Sequence, residues 1–138
     1  MFDPELEVPS LELCKRLKEL GFPQDGGGWY WIQVDGKWQL VLLLVATEEY
    51  LQQDVIYRIK APTMWELNNY LWRIEEEMNG KLILGKDLYQ NKFYCEIQSK
   101  NRDYQIAIKR WEDEKEVELR SKVVIWAWEN GYVNFERR

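Results

Sequence analysis

The side chains this chain offers for acid–base or nucleophilic chemistry include 24 carboxylates and two thiols, with no histidine to serve them. Without an imidazole, no serine or cysteine has its usual base. A metal site would have to be built from carboxylates alone. The runs Glu75-Glu76-Glu77 and Glu112-Asp113-Glu114 supply carboxylates. Consecutive helical residues, however, point in different directions. The first run also falls in a helix's last turn, where negative charge is mildly unfavourable. Both runs read as solvated helix ends. Glycosidase chemistry needs only two acids. Asp35, Asp54, Asp87 and Glu96 stand beside aromatics, but no spacing selects a pair. The chain is therefore read as a non-enzyme, with no catalytic residue, no metal site and no cofactor.

Cys14 and Cys95 are far apart and lack partners at metal-ligand spacing. Each falls within an apolar pattern, so both are expected as buried free thiols in a reducing compartment. Asp25-Gly26-Gly27-Gly28 has the look of a phosphate loop. No strand precedes it, no lysine–serine or lysine–threonine pair follows, and a strand comes next instead of a helix. It is read as a flexible turn.

The eight tryptophans are the other chemical resource. Trp65 and Trp72 lie one heptad apart. With Leu67 at the centre of a helix's buried face, an advance of about 100° per residue puts both roughly opposite, near Asn69 and Glu76. Two tryptophans on the nominally wet face are costly to leave in water. One reading is a contact surface for a second copy or another protein, made of Trp65, Asn69, Trp72 and Glu76. The other places the helix between a sheet and a further element of its own chain. Trp29 and Trp31 suggest a sugar or base platform. Their pairing across a hairpin with Leu40 and Leu42 favours core packing instead. Trp126 and Trp128, two apart on a helix, face nearly opposite ways, so one is expected in the core and the other nearer the surface.

The remaining features describe the scaffold. At 138 residues, 46% hydrophobic and 14% aromatic, the chain can bury one sizeable core. A net charge of −5 repels phosphate backbones, so nucleic acid is not the expected partner. The most basic stretch, around Lys100, Arg102, Lys109 and Arg110, is broken by Asp103 and followed by Glu112 and Asp113. It reads as a solvated strand and turn. No basic segment followed by an apolar run opens the chain, so no signal peptide is expected. The most apolar stretch, Leu40 to Ala46, is too short to span a bilayer, which takes about 20 residues. The expectation is a cytoplasmic protein with no membrane contact.

Residues 1–8 read as a loose acidic lead-in. Ser10 caps a first helix whose buried stripe is Leu13, Cys14, Leu17 and Leu20. Gly21 stops it in a left-handed turn, and Phe22 folds back onto Leu17. Asp35-Gly36 sits at a hairpin between 29–34 and 37–46 that pairs Trp31 with Leu40 and Trp29 with Leu42. That face is the expected core side. Val55, Tyr57 and Ile59 mark a third strand. Thr63 and Glu66 form a capping box on a second helix with Leu67, Tyr70, Leu71, Ile74 and Met78 on one face. Leu82 to Leu84 begins a fourth strand. Phe93, Cys95 and Ile97 mark a fifth, and Tyr104, Ile106 and Ile108 a sixth. A last helix from about Asp113 to Asn130 carries Glu116–Arg120 and Glu118–Lys122 pairs and a wide apolar arc. The order is α-βββ-α-βββ-α, which reads as one α+β domain over 1–138 with antiparallel strands and three helices packed on them. After the first helix it forms two βββα units, each ending in Asn-Gly. Duplication and topological coincidence both fit.

The stretch Pro9-Ser10-Leu11-Glu12-Leu13-Cys14-Lys15-Arg16-Leu17-Lys18-Glu19-Leu20-Gly21-Phe22-Pro23-Gln24 resembles a group of small phage- and prophage-encoded proteins of gut bacteria. So do Trp29-Tyr30-Trp31, Ala61-Pro62-Thr63 and Trp126-Ala127-Trp128-Glu129-Asn130-Gly131-Tyr132. The resemblance implies a cytoplasmic accessory protein and names no active residues. The first α-βββ-α also resembles a double-stranded-RNA-binding domain in topology. Such domains carry lysines at the start of the second helix. Here that start is Thr63-Met64-Trp65-Glu66, without positive charge. The resulting expectation is a non-catalytic protein-interaction role, as a homodimer or with a protein partner. The alternative is a small-ligand or nucleic-acid module using aromatic platforms.

Overall fold

The computed structural model describes residues 7–43, 57–78, 80–99 and 107–132. Nine elements follow in chain order: α1 (Leu11–Glu19), β1 (Gly28–Val34), β2 (Lys37–Leu43), β3 (Tyr57–Lys60), α2 (Met64–Met78), β4 (Gly80–Asp87), β5 (Lys92–Ser99), β6 (Ala107–Asp113) and α3 (Glu116–Glu129). The strands form two antiparallel three-stranded sheets, ordered β2-β1-β3 and β4-β5-β6. The α+β architecture and element order are those expected. The two sheets are connected differently: β1 is central in the first, whereas the second is a simple meander. That difference argues against reading the two βββα units as copies. No described helix is long and apolar enough to cross a membrane.

Local chemistry explains most boundaries. Ser10 Oγ accepts from the Leu13 amide at 3.5 Å at the start of α1. At its end, Gly21 at φ +100 lets the Phe22 amide reach Leu17 O at 2.9 Å and its own amide reach Lys18 O at 3.0 Å. These are the paired bonds of a Schellman stop. The Asp35-Gly36 turn sets the expected register, with Trp31 opposite Leu40 and Trp29 opposite Leu42. Thr63 and Glu66 bond reciprocally at 3.4 and 3.3 Å, completing the capping box.

The main core joins all three helices to the second sheet through Leu17, Phe22, Leu67, Tyr70, Ile74, Cys95, Ile97, Val123 and Val124. Helix α3 is buried on several sides, as its wide apolar arc implied. Trp126 and Trp128 are both half-buried against this core, so neither is simply a surface residue. The sixth strand runs further than expected, through Trp111 to Asp113, and α3 starts at Glu116. Asp113 then takes Lys122 at 2.6 Å, leaving Glu118 to Ser10 and to Lys115 at 3.8 Å. The expected Glu118–Lys122 pair is thus replaced, while Glu116–Arg120 forms at 2.6 Å. Tyr104, Ile106 and Val55 lie outside the described residues.

The first sheet uses both faces. Trp29, Trp31 and Leu40 pack on a small cluster of Val8, Cys14, Ile59 and Ala61. The deeper positions are Tyr30 and Ile32 on the other face, at 0% and 5% exposure, while Leu42 is 46% exposed. The expected core face was therefore the shallower one. Tyr30 can be buried completely because its hydroxyl donates to Gly26 O at 2.6 Å.

Candidate protein-interaction surface

The four residues singled out on the second helix share one exposed face. Asn69 and Glu76 are exposed. Trp65 is 81% exposed and Trp72 67%. The capping box fixes where α2 starts, and the burial of Leu67, Tyr70, Leu71 and Ile74 fixes its rotation. With those four facing inward, the tryptophans must face outward. Among the described residues no element covers this face.

Trp72 does not stand alone. With Leu71, Leu82, Leu84, Asn68, Glu75 and Arg120 it lines a cleft of about 130 Å³ between α2 and β4. The walls are mostly apolar and the polar groups are tied down. Glu75 Oε1 accepts from the Leu82 amide at 2.8 Å. Arg120 donates to Asn68 and to Glu116, while its Nε is buried without a hydrogen-bond partner. A second cleft of about 290 Å³ continues past Leu84 and Arg120 to Lys86, Phe93 and Tyr94. The sequence reading missed this cleft. Leu82 and Leu84 were visible only as a strand start, and Arg120 only as a helix-pair partner.

Several of the described carboxylates do structural work. Asp87 caps the β4–β5 turn, accepting from the Tyr89 amide at 2.9 Å. Glu96 is held below the ordinary carboxylate range by Gln98 and Arg110. Glu112 pairs with Arg110 at 3.0 Å. Asp35 sits in the hairpin turn with φ 50. Asp54 lies outside the described residues, as do Lys100 and Arg102. Among the described residues no three potential metal ligands converge.

The glycine turn is unlike a phosphate cradle. Gly26 O accepts from Tyr30 and Gly27 O accepts from the Lys60 ammonium at 2.6 Å. The loop thus turns carbonyls, not amides, toward its partners, which is the wrong polarity for an anion. Trp31 is anchored through Nε1 to Pro9 O at 3.3 Å, so it packs and does not present a platform. Both cysteines are buried free thiols.

Against this geometry, comparison with protein-family models, with curated proteins and with solved structures gives no match.

Proposed function

We propose that this protein is a non-catalytic interaction module that self-associates through the exposed face of α2. The carrying observation is Trp72, which is 67% exposed yet borders an apolar cleft. Aromatic side chains at such positions are the usual anchors of protein contacts. Trp65, Asn69 and Glu76 extend the same face. The non-catalytic reading is supported by carboxylates engaged in caps and ion pairs. The net charge of −5 disfavours a phosphate-backbone partner. The resemblance over residues 9–24 supports an accessory role in a phage or prophage setting, in the cytoplasm.

The test is molar mass in solution, by size-exclusion chromatography with light scattering over a range of concentrations. The expected mass is twice that of the 16.8 kDa chain. Trp72→Glu should return the single-chain mass with an unchanged far-UV circular dichroism spectrum. A wild-type protein at the single-chain mass throughout overturns the reading. A salt-sensitive shift with oligonucleotides would replace it with the aromatic-platform alternative.

A further inference from the structure

The second sheet has two edges, and they differ. β6 carries Lys109, Arg110, Glu112 and Asp113, a charged edge of the kind that deters pairing. Among the described residues β4 has only β5 beside it; it carries Lys81, Lys86 and Asp87 too, but also the apolar run Leu82, Ile83 and Leu84. The Leu82 amide points away from β5, because it donates to Glu75 Oε1 at 2.8 Å. In an antiparallel ladder every second residue points the same way. The amides of Leu84 and Lys86 therefore also point to the open edge. Among the described residues neither finds a partner there.

We propose that β4 of a second copy of this chain pairs antiparallel with this edge, about a twofold axis beside Gly85. Leu84 of each copy then lies opposite Lys86 of the other. This inference rests on the self-association reading and gives it a geometry.

Three features select this occupant and this register. Outward residues must oppose outward residues, and the Leu84–Lys86 register uses both free amides twice. A register with Leu84 opposite itself would bring Lys86 opposite Leu82, whose amide Glu75 already holds. The charges also agree: Lys86 of one copy, opposite Leu84 of the other, lies two residues along the strand from Leu82, on the side of the Glu75 carboxylate that holds the Leu82 amide. Finally, Trp72 lines the same cleft as Leu82 and Leu84. Joining the β4 edges therefore brings the two α2 helices side by side on one six-stranded sheet. Strand pairing supplies register, and the tryptophans supply apolar area.

The test uses the full chain and three readouts: solution mass, circular dichroism, and amide exchange at Leu84 and Lys86 by NMR. Wild type should have twice the chain mass, and both amides should become protected as concentration rises. Lys86→Pro removes an outward donor without removing a bond to β5. It should raise the dissociation constant by at least about tenfold. Lys86→Glu should weaken association, and adding Glu75→Lys should restore it. This pair decides the matter if the proline variant misfolds.

Association that persists in Lys86→Pro but is lost in Trp72→Glu overturns edge pairing and leaves the α2 reading standing. Association lost in Lys86→Pro but kept in Trp72→Glu does the reverse. Exchange at Leu84 and Lys86 that ignores concentration in a dimeric wild type overturns the edge pairing. A single-chain mass for wild type overturns both.

Discussion

Glu66 on α2 holds the ammonium of Lys60 on β3 at 3.4 Å while its other oxygen serves the Thr63 amide at 3.3 Å. One carboxylate thus starts a helix and neutralises a lysine that is 2% exposed. Removing one partner of a buried pair strands the other. The carboxylate itself is a third exposed, which tempers the cost. Glu66→Ala should cost about 2 kcal/mol in urea unfolding, combining the cap with the orphaned charge. Lys60→Met, which keeps the apolar stem, should cost less. The reverse order would show that the pair is not what holds this seam.

Burial pushes the Cys14 and Cys95 thiols up to about 12 from an ordinary value of 9.0. The fold holds the neutral thiol, whereas the unfolded chain releases the proton near 9. Stability should therefore decline as pH rises from about 9 toward 12. At pH 8 neither thiol should react with a disulfide reagent until denaturant is added. Fast labelling of either one in native protein would contradict its burial.

Burial would raise the Asp113 carboxyl, but hydrogen bonds from Lys122 at 2.6 Å and the Lys115 amide at 3.0 Å outweigh it. The group is held below its ordinary value of 3.8. Its contribution is present above that value and is lost as pH falls through the lower, folded one. Asp113→Asn should lower the melting temperature at neutral pH and flatten the acid limb below about pH 4. An unchanged acid limb would place the effect elsewhere.

Gly21 stops α1 at φ +100, where a side chain is strained. A Cβ there would meet only Trp128 Cη2 at 4.0 Å, so space is not the issue. Gly21→Ala should cost about 1 kcal/mol through backbone conformation alone. A loss several times larger would mean that Phe22 also leaves the core.

Much of this architecture was legible because the signals were local. Asp35-Gly36 dictated a two-residue turn and hence the whole β1–β2 register. Thr63–Glu66 and the Leu67-centred stripe placed and rotated α2, which is why the exposure of Trp65 and Trp72 could be read at all. What escaped depended on distant contacts. Tyr30 outranks Trp31 as a core residue only because the loop at Gly26 supplies a carbonyl for its hydroxyl. β6 runs on to Asp113, whose carboxylate is taken by Lys122, nine residues on. The α2–β4 cleft needs Arg120 from a third element. No periodicity in β4 announces it.

Helix α3 comes after the eight other described elements in the chain, yet α1, α2, β5 and β6 pack against it. Leu119, Val123 and Val124 are almost wholly buried in a core that includes Leu17 of α1. Ser10, just before α1, is bonded to Glu118. During synthesis α1, α2 and the second sheet must wait for α3 before the apolar faces they turn to the main core are covered. The main core therefore stays open on the ribosome until α3 has been made. A chaperone or a slow-translating stretch near residue 115 would affect yield more than any change within the early hairpins.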